Sequence, residues 1–496
     1  MCGIIGTVGN SSAAADLYTG LLMLQHRGQD AAGIVTFDNR FHSKKENGLV
    51  TEIFGDEDSL GLQGNLGIGH VRYRTTGSLD PSGAQPFVLY NPFGVALIHN
   101  GNLTNYNELK DLVCNTYHRY LNSDSDTEVL ANVFSQKLME VKTDGISVEE
   151  IFKAVTGTME TLKGSYAIIA LLANHGLLAF RDPYAIRPLV YGKRENGSGT
   201  EYMVASESVA LESQGFEIIA DVQPGEAIFI DMNNKFYQAQ CVEPKAKKPC
   251  IFEYVYLARP DSLMDDVSVY KTRLRMGEKL AEKIKASGIE IDSVIPIPET
   301  ARPTAITIAQ ELGKPYREGL IKNRYVGRTF IMPGNEQRKK SIKQKLNPVV
   351  LELKNKNVLL VDDSIVRGNT ARKIVEMVRA SGAKNVYFAS ACPPILNPCV
   401  YGVDIPTRKE LVAVNLTHEQ IAKEISADAI FYQEVEDLIE AAGVGSEQTN
   451  EFCTGCLDGR YAGPDVDEEL LERVEEGIEL RDIYPNPGQE RQVKLV

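Results

Sequence analysis

Residues Val358–Val361 form an uninterrupted apolar run that ends on Asp362 and Asp363, and Ser364-Ile365-Val366-Arg367-Gly368-Asn369-Thr370 then lead into the helix-period stretch Ala371–Ser381. A strand apolar on both faces, followed at once by a helix, belongs to a parallel sheet whose connections pack over it. The neighbouring segments keep that rhythm, with helix expected at Lys271–Ser287, strand at Ser293–Pro296, helix at Ala305–Leu312 and strand at Asn385–Ala389. Ligands of such sheets sit at the carboxyl ends of the strands. The backbone amides of Ser364–Thr370, the hydroxyls of Ser364 and Thr370 and the start of the helix together suit an anionic phosphate group. Asp362 and Asp363 can accept hydrogen bonds from sugar hydroxyls and lie near a hard divalent cation such as magnesium. The acidic pair alone would equally suit a structural turn.

The N-terminal half has a different grain. Short alternating or β-branched runs such as Gly67–Val71, Val95–His99 and Ala167–Leu172 lie between helical stretches such as Ala13–Gln25 and Thr127–Met139. A Lys/Pro-rich stretch, Pro244–Pro249, separates the halves. At 496 residues the chain exceeds one ordinary core. A net charge of −14 argues against general affinity for nucleic acid or membrane surfaces. There is no apolar run of membrane-spanning length, and eight cysteines over this length do not resemble a secreted disulfide framework. These features point to a cytoplasmic enzyme.

Cys2 directly follows the initiator Met1. Removal of Met1 would place a thiol and a free α-amino group on one residue, the amine with a pKa of about 7.7–8.0 and able to take up the thiol proton. A chance buried cysteine is the plain alternative. Further on come Gln25-His26-Arg27-Gly28-Gln29-Asp30, Gly69-His70-Val71-Arg72-Tyr73, His99-Asn100-Gly101-Asn102-Leu103 and Ser123-Asp124-Ser125-Asp126. With Cys2, this ordered set resembles the glutaminase domain of class II, N-terminal-nucleophile amidotransferases. The resemblance implies that Cys2 is the nucleophile and that Asn100 and Gly101 form the oxyanion hole. It also implies that Arg72, Asp126 and Thr75 hold glutamine, Arg72 by its carboxylate and Asp126 by its ammonium group. Without it, Asn100-Gly101 would read as a hairpin turn. Two segments depart from the family pattern, Tyr73-Arg74-Thr75-Thr76-Gly77 and Arg181-Asp182-Pro183-Tyr184-Ala185-Ile186-Arg187-Pro188. Tyr184-Ala185 stands where Asn-Gly is usual, which suggests backbone that need not adopt positive φ.

The run Val358–Thr370 likewise resembles the phosphoribosyl pyrophosphate motif of type I phosphoribosyltransferases. That resemblance assigns substrate binding to Asp362, Asp363, Ser364, Ile365, Val366, Arg367, Gly368, Asn369 and Thr370. Glu299 and Thr300, in Pro298-Glu299-Thr300, would meet the pyrophosphate. Mg2+ would lie on Thr300, Asp362 and Asp363. Lys322 and Arg328 belong to a basic stretch, Lys322–Lys343, that suits either a solvated loop or a lid closing over a polyanion. With the intervening Phe252–Ser262, the chain as a whole is similar to the glutamine phosphoribosylpyrophosphate amidotransferase family. The expected fold is an α+β glutaminase domain, an αββα sandwich, over 2–240, followed by an α/β phosphoribosyltransferase domain with a central parallel sheet over 250–460. A charged, partly helical tail would occupy 461–496.

The implied activity converts glutamine, 5-phosphoribosyl 1-pyrophosphate and water to 5-phosphoribosylamine, glutamate and pyrophosphate. Ammonia would pass internally, with Tyr256 along its route, and purine nucleotides would inhibit. A homo-oligomer, tetramer or dimer, is expected. Cys250, Cys399, Cys453 and Cys456 match the ligands of the family's iron–sulfur branch, implying a [4Fe–4S] cluster. Zinc, a redox pair or idle thiols remain alternatives. So do another class II amidotransferase, and a regulatory or glutaminase-impaired member that uses free ammonia.

Overall fold

The computed structural model describes residues 2–55, 61–73, 81–142, 145–197, 199–323, 346–446 and 449–476. Arg74, Thr75 and Arg328 lie outside them, as does nearly all of the basic stretch after Asn323.

Two antiparallel sheets face each other in the N-terminal half. One runs, in spatial order, Glu217–Asp221, Val190–Asn196, Gly199–Ala205, Gly3–Val8, Leu66–Arg72, Ala31–Phe37, Phe41–Asn47. The other runs Phe236–Gln240, Glu226–Asp231, Gly176–Arg181, Gly164–Leu172, Val95–Leu103, Phe87–Leu89. Alternation along each strand divides the apolar side chains between two cores. Ile4, Val8, Ile98 and Ile169 fill the space between the sheets. Ile5 and Ile34 point the other way, onto Leu17, Leu21 and Leu24 of helix Ala13–Leu24. On the far side, Leu97, Ile168 and Phe180 meet Val129, Val133 and Val155 of helices Asp126–Val141 and Val148–Thr161. The result is the expected αββα sandwich.

The C-terminal half holds a four-stranded sheet ordered Ser293–Pro296, Asn357–Asp362, Asn385–Ser390, Ala429–Tyr432, and every pairing in it is parallel. Leu280, Ile284, Ala305 and Ile308, from helices Val269–Ala286 and Arg302–Glu311, pack with Val294, Leu359 and Val361 on one face. Ile374, Val375 and Val378 of helix Asn369–Ala380 pack with Val358, Leu360 and Phe388 on the other.

One expectation is overturned. Ala185 has φ +52°, so the backbone does enter the left-handed region without a glycine. The Asp182 carboxylate accepts the backbone N–H groups of Tyr184 and Ile186, and Arg181 Nη2 donates to the Ala185 carbonyl at 2.8 Å. These buried bonds hold the turn against its intrinsic cost of about 1–2 kcal/mol. Asn100-Gly101 is no hairpin turn either, since both residues lie within strand Val95–Leu103.

Candidate active site

Strand register gathers the first group of residues. Gly3 pairs with Val71, so Cys2 emerges beside Arg72 at the end of the same ladder. The Cys2 backbone nitrogen donates to Asn100 Oδ1 at 3.4 Å, and Sγ lies 3.9 Å from the Tyr73 carbonyl oxygen. Spending its oxygen on Cys2 fixes the Asn100 amide, whose buried Nδ2 has no hydrogen-bond partner among the described residues. A buried donor without a partner costs about 1–3 kcal/mol and needs a reason. Gly101 has φ +152°, and a Cβ there would sit 2.0 Å from the Ser165 carbonyl oxygen. Only glycine fits.

Asp126 opens helix Asp126–Val141 and points its carboxylate at His99 Nδ1, 3.7 Å away. Arg72 lies over Gly83, where an added Cβ would come within 2.6 Å of Nη1. Cys2, Arg72, the Asn100-Gly101 pair and Asp126 thus come from four places in the chain to one end of the sandwich.

The second group lies at the carboxyl ends of the parallel strands. Gly368, with φ +73°, caps helix Asn369–Ala380, and the loop from Ser364 curls ahead of it. The Ser364 hydroxyl donates to Asp363 Oδ1 at 2.8 Å. Burial, and then the neighbouring Asp363, pushes the Asp362 carboxyl well above the usual range. Asp363 is raised to about 6 by burial, against the opposing pull of Ser364 and Arg273. Two carboxyls held so close gain from a nearby divalent cation. Among the described residues, no three His, Cys, Asp or Glu side chains gather closely enough to hold a metal ion. For magnesium this is no obstacle, because it keeps several waters and binds through one or two carboxylates plus substrate phosphates. Glu299 pairs with Arg302 at 2.7 Å.

A cavity of about 1590 Å³ extends from the second group to Tyr73, whose carbonyl faces Cys2 Sγ. Its lining includes Tyr73 and Gln29 on the sandwich side and Glu299, Thr300, Lys322, Asp362, Asp363 and Ser364–Thr370 on the other. Tyr256 lies on the wall between them.

The wall is anchored by charges that sequence reasoning passed over. Arg27 is fully buried, with Nη2 2.8 Å from Glu253 Oε2 and Nε on Glu207. Glu207 also accepts from the Ser262 hydroxyl at 2.6 Å and the Arg259 N–H at 3.0 Å. Burial opposes its charge, but Arg27 and His26 outweigh that and hold Glu207 far below the ordinary carboxylate range. Arg181 and Asp265 form a second buried pair at 2.9 Å. The only sequence trace was an arginine inside a segment dense in polar residues, with its partners some 180 and 226 positions away.

The four cysteines share one neighbourhood, three of them buried and Cys399 half-buried. Cys250 and Cys453 are partners in an isolated β-bridge, and the backbone N–H groups of Leu396 and Asn397 donate to the Cys456 carbonyl. Burial, together with the other thiols, raises Cys250 to about 11 and Cys453 and Cys456 further still. The buried Arg187 faces Cys250, Glu253, Cys399 and Cys453. Among the described residues these thiols do not make a group placed to hold a metal ion, whether zinc or a cluster.

Comparison with known proteins matches both halves. The family described as a glutamine amidotransferase domain covers residues 70–213, and the phosphoribosyl transferase domain covers residues 268–426. An amidophosphoribosyltransferase of Pseudomonas aeruginosa is 50% identical over 96% of both chains. Its counterpart in Escherichia coli is 49% identical over 95% of this chain and 94% of its own. The glutamine phosphoribosylpyrophosphate amidotransferase from B. subtilis, solved with ADP and GMP, superposes with a TM-score of 0.82 at 35% identity, covering 94% of this chain and 98% of that one.

Proposed function

This chain belongs to the amidophosphoribosyltransferase family, the enzymes of the first step of purine biosynthesis, and we propose how its own residues divide that reaction. The cavity that opens both to Tyr73, beside Cys2, and to the Ser364–Thr370 loop carries the reading.

Once Met1 is removed, the α-amine of Cys2 takes the thiol proton and Sγ attacks the side-chain carbonyl of glutamine. Arg72 and Asp126 hold the substrate's carboxylate and ammonium, with Thr75 beside them. Negative charge on the tetrahedral intermediate is met by Asn100 Nδ2 and the Gly101 N–H. The C–N bond breaks, the proton leaves with ammonia, and water hydrolyses the thioester to glutamate. Ammonia crosses the cavity past Tyr256, attacks C1 of the ribose and displaces pyrophosphate. The transferase half works by positioning. The amides and hydroxyls of Ser364–Thr370 hold the 5-phosphate, Asp362 and Asp363 the ribose hydroxyls, and Glu299, Thr300, Lys322 and Arg328 the pyrophosphate side. Thr300, Asp362 and Asp363 would hold Mg2+, which neutralises diphosphate charge when bound.

The finer parts of the reading are a [4Fe–4S] cluster on Cys250, Cys399, Cys453 and Cys456, feedback by purine nucleotides, a homo-oligomeric state and a cytoplasmic location. We divide the chain at 2–240, 250–460 and 461–496. What supports the cluster is the neighbourhood itself, three buried thiols and the half-buried Cys399, with the Arg187 cation facing Cys250, Cys399 and Cys453. Absorbance near about 400 nm with stoichiometric iron is expected; colourless protein containing zinc would overturn it. ADP and GMP bound to the B. subtilis relative support nucleotide control.

The test is pyrophosphate release with glutamine and with ammonia. Cys2→Ser is expected to lose the glutamine reaction and keep the ammonia one. Retention of both would remove Cys2 from the mechanism.

A further inference from the structure

The oxyanion strand Val95–Leu103 is gripped from behind by a piece of the other half of the molecule. Asn102 Nδ2 donates to the Val400 carbonyl at 2.8 Å. The Tyr401 carbonyl accepts from the Ser165 hydroxyl at 2.8 Å and from Arg187 Nε at 3.1 Å. Gly402 has φ +98°, and a Cβ built on it would lie 2.8 Å from the Gly101 carbonyl oxygen and 3.0 Å from its carbonyl carbon. Tyr401 and Gly402 are buried, and Gly402 has no role in either binding site described above.

We propose that the turn Val400–Gly402 is the back wall of the oxyanion hole and that Gly402 is a positioning residue for Gly101. The inference rests on the assignment of Gly101 to glutamine cleavage. Contact at the Gly101 carbonyl restrains the Gly101–Asn102 peptide plane, and the Ser165 carbonyl packed against the Gly101 α-carbon leaves the preceding plane, which carries the Gly101 N–H, little room to turn. Oxyanion donors act only when held near 2.7–3.1 Å from the developing charge. A displacement of about 1 Å at such a site can cost about 100-fold in rate. The wall comes from the transferase half, so the sandwich alone lacks a finished oxyanion hole. The same segment continues to Glu410, which pairs with Arg367 at 2.8 Å, and to Val412, whose N–H donates to the Val366 carbonyl at 3.0 Å.

The experiment compares full-length parent, Gly402→Ala, Asn102→Ala and Gly382→Ala in glutamine-dependent and ammonia-dependent pyrophosphate release. Gly382 has φ +92° and its nearest neighbours belong to Lys354, at 3.3 Å and beyond, so its variant carries similar backbone strain away from both sites. Gly402→Ala is expected to lower glutamine-dependent kcat about 100-fold, leaving the KM for glutamine and ammonia-dependent turnover near the parent's. Asn102→Ala, losing one hydrogen bond behind Gly101, is expected to lower the same kcat about fivefold. Gly382→Ala should keep both reactions. If Gly402→Ala fails to fold, Asn102→Ala decides. Glutamine-dependent kcat within twofold of the parent, or a parallel fall in both reactions, overturns the proposal. A parent that turns over with ammonia but never with glutamine overturns the assignment of Gly101 itself.

Discussion

Asn100 gives its oxygen to the Cys2 backbone and leaves a buried amide nitrogen unpartnered among the described residues, a donor free for the oxyanion of the proposed mechanism. Asn100→Ala should lower glutamine-dependent kcat about 100- to 1,000-fold and spare the ammonia reaction, as steady-state assays with each nitrogen source would show. Equal losses in both would assign Asn100 to the fold instead. At this scale the proposed site was readable from the sequence, because Cys2, Asn100-Gly101 and the Ser364–Thr370 loop are each local in the chain. Arg27 was not. Its meaning depends on Glu207 and Glu253, which reach it only through the tertiary fold. Ala185 was misread for a related reason: the bonds that force its φ belong to Asp182 and Arg181, and propensity alone argues the other way.

At the scale of elements, the strand–loop–helix unit from Asn357 to Ala380 was legible nearly residue for residue, since apolar run, acids and helix period are contiguous. The sheet order was not, because four parallel strands can be threaded in several ways. Gly368 is the hinge of that unit, left-handed and 3.1 Å from Val412 at its virtual Cβ. Gly368→Ala is expected to raise the KM for phosphoribosyl pyrophosphate with either nitrogen source, measured at saturating glutamine or ammonia; an unchanged KM would detach the loop from substrate binding. The Phe252–Ser262 segment is tied to the sandwich by Arg27, Glu207 and Glu253. Arg27→Met takes from Glu207 and Glu253 the cation they share, leaving His26 beside one and Arg187 beside the other, and should cost about 3–5 kcal/mol in urea unfolding, where a loss below about 1 kcal/mol would count against the pair.

At the scale of the whole molecule, these ion pairs make the junction between halves sensitive to acid. Glu207 has its pKa lowered by folding, so the unfolded chain binds more protons at low pH. Its contribution is present above the ordinary carboxylate pKa of about 4.3 and is lost as pH falls below it. Thermal stability should therefore fall with acidification in that range, and Glu207→Gln, less stable at neutral pH, should flatten the slope. A variant with the parental slope would place the acid sensitivity elsewhere.

On the proposed route, one ammonia molecule held in a space of about 1590 Å³ would be present at about 1 M. Nitrogen freed beside Tyr73 would meet the sugar at a strength that millimolar ammonium in the surrounding medium cannot rival. Glutamine carrying a heavy amide isotope should thus pass its label to the product almost undiluted in a buffer of ordinary ammonium.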